Sequence, residues 1–392
     1  MIKTADRIAT VEEYYFSKKL AEVRQLDTPE KRVINLGIGS PDMAPASSVI
    51  DSLTTSAQLP GSHGYQSYKG IPALRNAIAQ FYSSTYQVAL NAEADLLPLM
   101  GSKEGIMHIS MAFLNPGDEV LIPDPGYPTY SSVAKLTGAI IRTYSLREEL
   151  EWSVDIHSLE QSDLSKVKIM WVNFPHMPTG KVASRQELQR LVDLARKYQF
   201  LIVNDNPYSL ILNDQPMSIL AEQGASDVAL ELNSLSKSHN MAGWRIGWVA
   251  GKKDFIDAIL KVKSNMDSGM FLGLQQAAVE ALKGKQDWFD DLNSIYRKRR
   301  ALAFEILNIL QCTYSDKQSG LFVWARVDKS IEDVERWIDQ ILYTTKVFIT
   351  PGFIFGENGK NYIRVSLCAS EQQLLEALDR LQNFMISGKK VA

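Results

Sequence analysis

Five short runs in the middle of the chain constrain its fold more than any other feature. They are "DEVLIPDP" (Asp118–Pro125), "KVKIMWVNF" (Lys166–Phe174), "FLIVNDN" (Phe200–Asn206), "DVALELNS" (Asp227–Ser234) and "WRIGWVAG" (Trp244–Gly251). Several are apolar almost throughout. A strand that alternates apolar and polar residues shows one face to water, whereas one that is apolar at every position must be covered on both faces. Helical patterns lie between these runs. In "SRQELQRLVDLARKYQ" (Ser184–Gln199), Ser184 is the expected N-cap and Glu187 closes a capping box. Such alternation predicts an α/β domain with a mostly parallel sheet.

At 392 residues the chain is too long for a single compact core. The α/β rhythm predicts a large domain over residues 47–290. Beyond it, a long helical stretch (roughly Asp287–Gln311) precedes "GLFVWARV" (Gly320–Val327), another helix, "KNYIRVSLC" (Lys360–Cys368) and a last helix. That order predicts a smaller α+β domain over 291–392. Residues 1–46 lack a rhythm of their own and are expected to form an arm that joins it.

Composition excludes several function classes. Forty-two Lys and Arg against 45 Asp and Glu leave a formal charge of −3, without the basic excess of a nucleic-acid binder or a polybasic membrane patch. The one basic run, "YRKRRA" (Tyr296–Ala301), reads as a solvated helix face. The N-terminus has no signal-peptide pattern, and no apolar run has membrane-spanning length. Cys312 and Cys368 fit no metal or redox spacing and read as buried small hydrophobes, and the histidines show no metal-ligand spacing. A cytoplasmic location is expected.

The chemistry concentrates in "NSLSKSHNMAGWRIGW" (Asn233–Trp248). A lone loop lysine is usually a solvated charge. Lys237, however, follows a predicted strand and has Ser234, Ser236 and Arg245 close by in sequence. Two hydroxyls and a guanidinium fork suit a phosphate. A lysine beside a phosphate site points to pyridoxal phosphate, which forms a Schiff base with lysine. That cofactor needs an acid at its ring nitrogen, and Asp205 ends an apolar strand. Tyr208 is placed to meet the ring oxygen. Gly101 and Ser102 open a helical pattern, where free N–H groups attract anions. Tyr127, in a proline-braced loop, is placed to stack on the ring. Taken singly, each residue reads more simply as a turn, cap or packing residue; together they answer one set of demands.

With those residues in place, the chain resembles the class I/II aminotransferase family of fold-type-I pyridoxal-phosphate enzymes over nearly its whole length. The resemblance implies a three-layer α/β/α large domain with a smaller α+β domain. It makes Lys237 the Schiff-base lysine and general base, Asp205 the partner of the pyridine nitrogen and Tyr208 that of the ring oxygen. Gly101, Ser102, Ser234, Ser236, Arg245 and the backbone around Lys103 would hold the phosphate, with Tyr127 stacked on the ring. Tyr65, in "HGYQSYKGIPALR", would reach the phosphate of a neighbouring subunit, which implies a homodimer with shared sites. Arg364 would clamp the substrate α-carboxylate, with Gly39 nearby. "NFPHMPTG" puts Asn173 and Met177 beside the cofactor, but Met177 stands where the family usually has asparagine. A thioether is a weak acceptor, so Tyr208 and Arg364 are expected to carry more of that asparagine's load.

"GSKEGI" and "SNMDSGMF" resemble the branch that includes diaminopimelate, alanine and aspartate aminotransferases. Lys103 is expected to meet the distal carboxylate of an acidic or dicarboxylic amino acid, with 2-oxoglutarate as acceptor in a ping-pong cycle. The same fold and residues also serve β-eliminating lyases. The N-terminal aromatics Tyr14, Tyr15 and Phe16 are expected near the site.

Overall fold

The computed structural model describes residues 2–11, 15–284 and 286–388, so Tyr14 lies outside the described residues. In chain order the first strands are β1 (Ile34–Asn35), β2 (Leu96–Leu99), β3 (Glu119–Asp124), β4 (Ile140–Ser145), β5 (Val167–Val172), β6 (Leu201–Asp205), β7 (Ala229–Ser234) and β8 (Gly247–Gly251). They are followed by β9 (Thr313–Tyr314), β10 (Phe322–Arg326), β11 (Val347–Phe348), β12 (Thr350–Pro351) and β13 (Tyr362–Ser366).

All five apolar runs are strands of one seven-stranded sheet, in the order β2-β8-β7-β6-β5-β3-β4. Neighbours run parallel except at β8, which is antiparallel to β2 and β7. Continuous apolarity has the expected cause. On one face Val172 and Ile202 share a core with Leu188, Leu191 and Val192 of the Arg185–Tyr198 helix. On the other, Val203 and Leu232 pack with Ile106, Ile109 and Tyr130. At the start of the Arg185–Tyr198 helix, Ser184 Oγ accepts from Glu187 N at 3.0 Å. The Glu187 carboxylate in turn accepts from Val154 N at 3.0 Å, so the cap also ties this helix to a neighbouring loop. Strand β4 went unforeseen: it is an edge strand with exposed positions, and its mixed pattern hides it.

The second sheet is antiparallel, in the order β12-β13-β10-β9. The Gln286–Ile309 and Val334–Thr345 helices pack against it through Ile306, Leu307 and Ile338, around Val323, Ile363 and Val365. The N-terminal segment joins this part of the molecule, with β1 pairing parallel to β11 at Ile34↔Val347. The basic run is not uniformly solvated. Arg299 is buried and grips both carboxylate oxygens of Asp42, at 2.6 and 2.9 Å, while Arg300 donates to Gln318 O. Four adjacent residues span a whole helical turn, so Arg299 faces inward, where it pins the loop that carries Gly39. No helix of the described residues is long and apolar enough to cross a membrane.

Candidate active site

The carboxyl ends of β2, β3, β5, β6 and β7 converge on a cavity of about 550 Å³, the place where open α/β sheets bind ligands. Each strand end delivers a polar group to the lining: Ser102 after β2, Tyr127 after β3, Asn173 after β5, Asp205 on β6 and Ser234 on β7. The short turn after β7 adds Ser236 and Lys237, and the loop before β8 adds Arg245. The smaller sheet contributes Phe322 and Arg364, and the N-terminal segment contributes Gly39, Phe16 and Leu20.

Asp205 is buried. Tyr130 donates a hydrogen bond to its Oδ2 at 3.0 Å, while its Oδ1 has no partner. Burial pushes the carboxyl up to about 7, against the pull of the Tyr130 bond and the Lys237 charge. A buried oxygen left unsatisfied costs about 1–3 kcal/mol, so Oδ1 fits a cationic donor supplied by a ligand. Lys237 Nζ donates to Gly39 O at 2.6 Å. Burial depresses the pKa of its ammonium; the Arg364 and Arg245 charges add to that, and Cys368 and Asp205 oppose it.

The Arg245 end of the cavity depends on two close approaches. Gly101 has φ +91 and ψ 157, and a Cβ there would lie 2.2 Å from Arg245 Nη2. A Cβ on Gly247 would lie 2.9 Å from Ser102 N, which opens the Ser102–Phe113 helix. Glycine at both positions lets a guanidinium and a helix N-terminus share one anion seat. These features fit pyridoxal phosphate: an orphan acid for the ring nitrogen, a phosphate cradle and a lysine with a depressed pKa between them. Tyr127 and Tyr208 line the cavity, and burial raises the pKa of each phenol, so both remain hydrogen-bond donors.

Arg364 is buried at the opposite end. Nη2 donates to Gly37 O at 2.8 Å and Nη1 lies 3.2 Å from Met177 Sδ. The guanidinium stacks 3.8 Å from the Phe322 ring centroid, with Phe355 at 4.7 Å. Gly39 makes that arrangement possible, because a Cβ there would come within 2.2 Å of Phe322. Asn173 acts as a brace: its Nδ2 donates to Asp205 O, and its Oδ1 accepts from Met177 N at 2.7 Å. Lys103 is exposed where it lines the cavity. Tyr65 is 93% exposed and lies outside the cavity of its own chain.

Sequence reading missed Tyr130, Phe322 and Phe355. Tyr130 alone had a local signal, since it sits three residues after Tyr127, the N-cap of the Pro128–Thr137 helix.

The family model for aminotransferase class I and II matches residues 31–381. The chain belongs to this family. It is 37% identical over 388 residues to the LL-diaminopimelate aminotransferase of Dehalococcoides mccartyi, covering 98% of this chain and 99% of the relative. Among solved structures, substrate-bound BacF from Bacillus subtilis superposes with a TM-score of 0.92 at 32% identity, covering 98% of each chain. An aminotransferase from Staphylococcus aureus superposes at 0.88 with 29% identity, covering 98% of this chain and 99% of that one. The protein is therefore a pyridoxal-phosphate-dependent aminotransferase of fold type I. Nothing among these relatives supports the β-eliminating reading.

Proposed function

We propose that this aminotransferase draws its amino group from a dicarboxylic amino acid, LL-diaminopimelate being the donor the relatives' names favour, and passes it to a 2-oxo acid such as 2-oxoglutarate. The observation that carries this reading is that, besides Lys237 and Arg245, two further cations line the cavity, Arg364 from β13 and Lys103 beside the phosphate seat. One cation is assigned to the α-carboxylate and the other to the distal carboxylate.

The residues divide the work. Asp205 and Tyr208 orient the cofactor ring, Tyr127 covers its face, and Ser102, Ser234, Ser236 and Arg245 hold its phosphate. When bound, pyridoxal phosphate supplies the carbonyl that takes the amino group and the ring that accepts charge from the α-carbon. Arg364 holds the α-carboxylate in a seat walled by Phe322 and Phe355, where low polarity strengthens the ion pair. Lys237, whose ammonium burial makes easier to deprotonate, takes the α-proton as general base. The phenols of Tyr208 and Tyr127 stay protonated and do not compete for that proton. Both Cys312 and Cys368 are buried and unpaired, which supports a reducing cytoplasmic setting. Tyr65, Tyr68, Met266 and Phe271 are exposed, which supports a homodimer in which Tyr65 completes the neighbour's phosphate seat.

The test is the ratio of kcat/KM for LL-diaminopimelate and L-glutamate to that for L-alanine, in the wild type and in Lys103→Ala. The proposal expects the ratio to fall at least about tenfold in the variant, as for loss of one charge-assisted contact. An unchanged ratio removes Lys103 from substrate choice.

A further inference from the structure

We infer that Tyr130 is a positioning residue for the reaction: its phenol occupies one oxygen of Asp205, so the acid exchanges its proton through the other. The inference rests on the reading of Asp205 as partner of the cofactor's ring nitrogen.

Three observations carry it. First, the contact is direct and buried, with the Tyr130 hydroxyl 3.0 Å from Asp205 Oδ2. Second, the phenol is the donor to the ionised carboxylate, which has no hydrogen to give. Burial, and then the Asp205 charge, hold the phenol's pKa well above the ordinary tyrosine value, so it keeps its proton at neutral pH. Third, its direction is fixed. The ring stacks on Trp171 at 5.1 Å and 8°, and meets the Tyr127 ring edge-on at 5.6 Å and 87°. Those contacts hold the ring, and with it the hydroxyl oxygen, against the carboxylate. Tyr127 caps one helix, Pro128–Thr137, and Tyr130 lies in its first turn, so a single element places both residues.

The chemistry follows. A proton on Oδ2 would force the phenolic hydrogen out of its bond, whereas Oδ1 has no protein partner to lose, so the carboxyl proton is favoured on Oδ1. Whether Asp205 accepts from a protonated ring nitrogen or donates to a neutral one, the shared proton lies on the ligand side. The titratable groups that face Asp205 are Tyr127 and Tyr130 from the Tyr127–Thr137 segment, Tyr208 from its own segment and Lys237 from the turn after β7. Burial keeps the phenols neutral, which leaves Lys237 as the competing cation.

The test compares Tyr130→Phe with Asp205→Asn and wild type. Removing one oxygen from a stacked ring preserves its volume, and an unchanged unfolding temperature confirms that the variant folds. In the cofactor-free proteins, the pH midpoint of the Asp205 carboxyl is read by infrared difference against Asp205→Asn. It is expected near 7 in wild type and higher in Tyr130→Phe, because a donor to the charged form is lost. Affinity for pyridoxal phosphate and kcat should each fall about ten- to a hundredfold, with KM for the amino donor within about twofold. An unmoved midpoint and unchanged cofactor affinity in Tyr130→Phe, with Asp205→Asn impaired, overturn the role of Tyr130. A fall in kcat with an unmoved midpoint also overturns it, because that is a packing effect. If Asp205→Asn binds the cofactor as wild type does, the reading of Asp205 itself fails.

Discussion

Gly101→Ala should separate the cofactor seat from the fold. At φ +91 and ψ 157 the backbone lies where glycine is nearly the only resident, and an alanine forced there costs about 1–3 kcal/mol. The new methyl would also lie 2.2 Å from Arg245 Nη2 and 2.9 Å from its Cζ. Relief of that collision is easy. The guanidinium is the far end of a flexible, exposed side chain, tied to Ala242 O at 3.0 Å and Met100 O at 3.4 Å. It swings aside, and the stability loss stays near the backbone term, a few degrees in Tm. The cofactor bears the larger effect. A charge-assisted contact to phosphate is worth about 1.5–3 kcal/mol, so Kd for pyridoxal phosphate should rise about ten- to a hundredfold. Titration of the cofactor-free protein, followed by visible absorbance and run beside a thermal melt, measures both quantities. Unchanged cofactor affinity would refute the argument, and so would a variant too unstable to purify.

Three further outcomes are expected. Arg364→Lys cannot reach Gly37 O and a carboxylate with one fork, so KM for the amino donor should rise at least about tenfold with a smaller change in kcat; steady-state kinetics decides. Met177→Asn places an amide against the guanidinium and the cofactor, and should shift both KM and the pH midpoint of the cofactor's visible band; if neither moves, Tyr208 and Arg364 do not carry the load assigned to them. Asp205 titrates at about 7 when folded, above its usual 3.8. Between those values the folded state holds more protons, so stability falls as pH rises. The Tm gap between cofactor-free Asp205→Asn and wild type should widen in the variant's favour from about pH 4 to about 7 and then level off; a flat gap contradicts the burial of that charge.

The lining of the candidate cavity was largely legible because many of its residues are local in sequence. Lys237, its serines and Arg245 share one stretch, and Asp205 ends a strand whose apolarity announces burial. The residues that shape the seat of Arg364 were not legible. Phe322 and Phe355 meet it only through the antiparallel pairing of β10 with β13 and the loop after β12, contacts between segments far apart in the chain. Arg299 misled for a similar reason, since a basic run looks solvated until its acid, Asp42, arrives from more than half the chain away. Strand β4 was hidden because a half-exposed edge strand has no need of the apolar run that marks its neighbours.

The most direct test of the account is the visible absorption of the cofactor-loaded enzyme on addition of LL-diaminopimelate alone, without a 2-oxo acid. The account predicts that the cofactor's yellow band bleaches, that 2-oxoglutarate restores it, and that L-alanine at the same concentration does far less. A band that neither LL-diaminopimelate nor L-glutamate changes would contradict the assignment of Arg364 and Lys103 to a dicarboxylic donor.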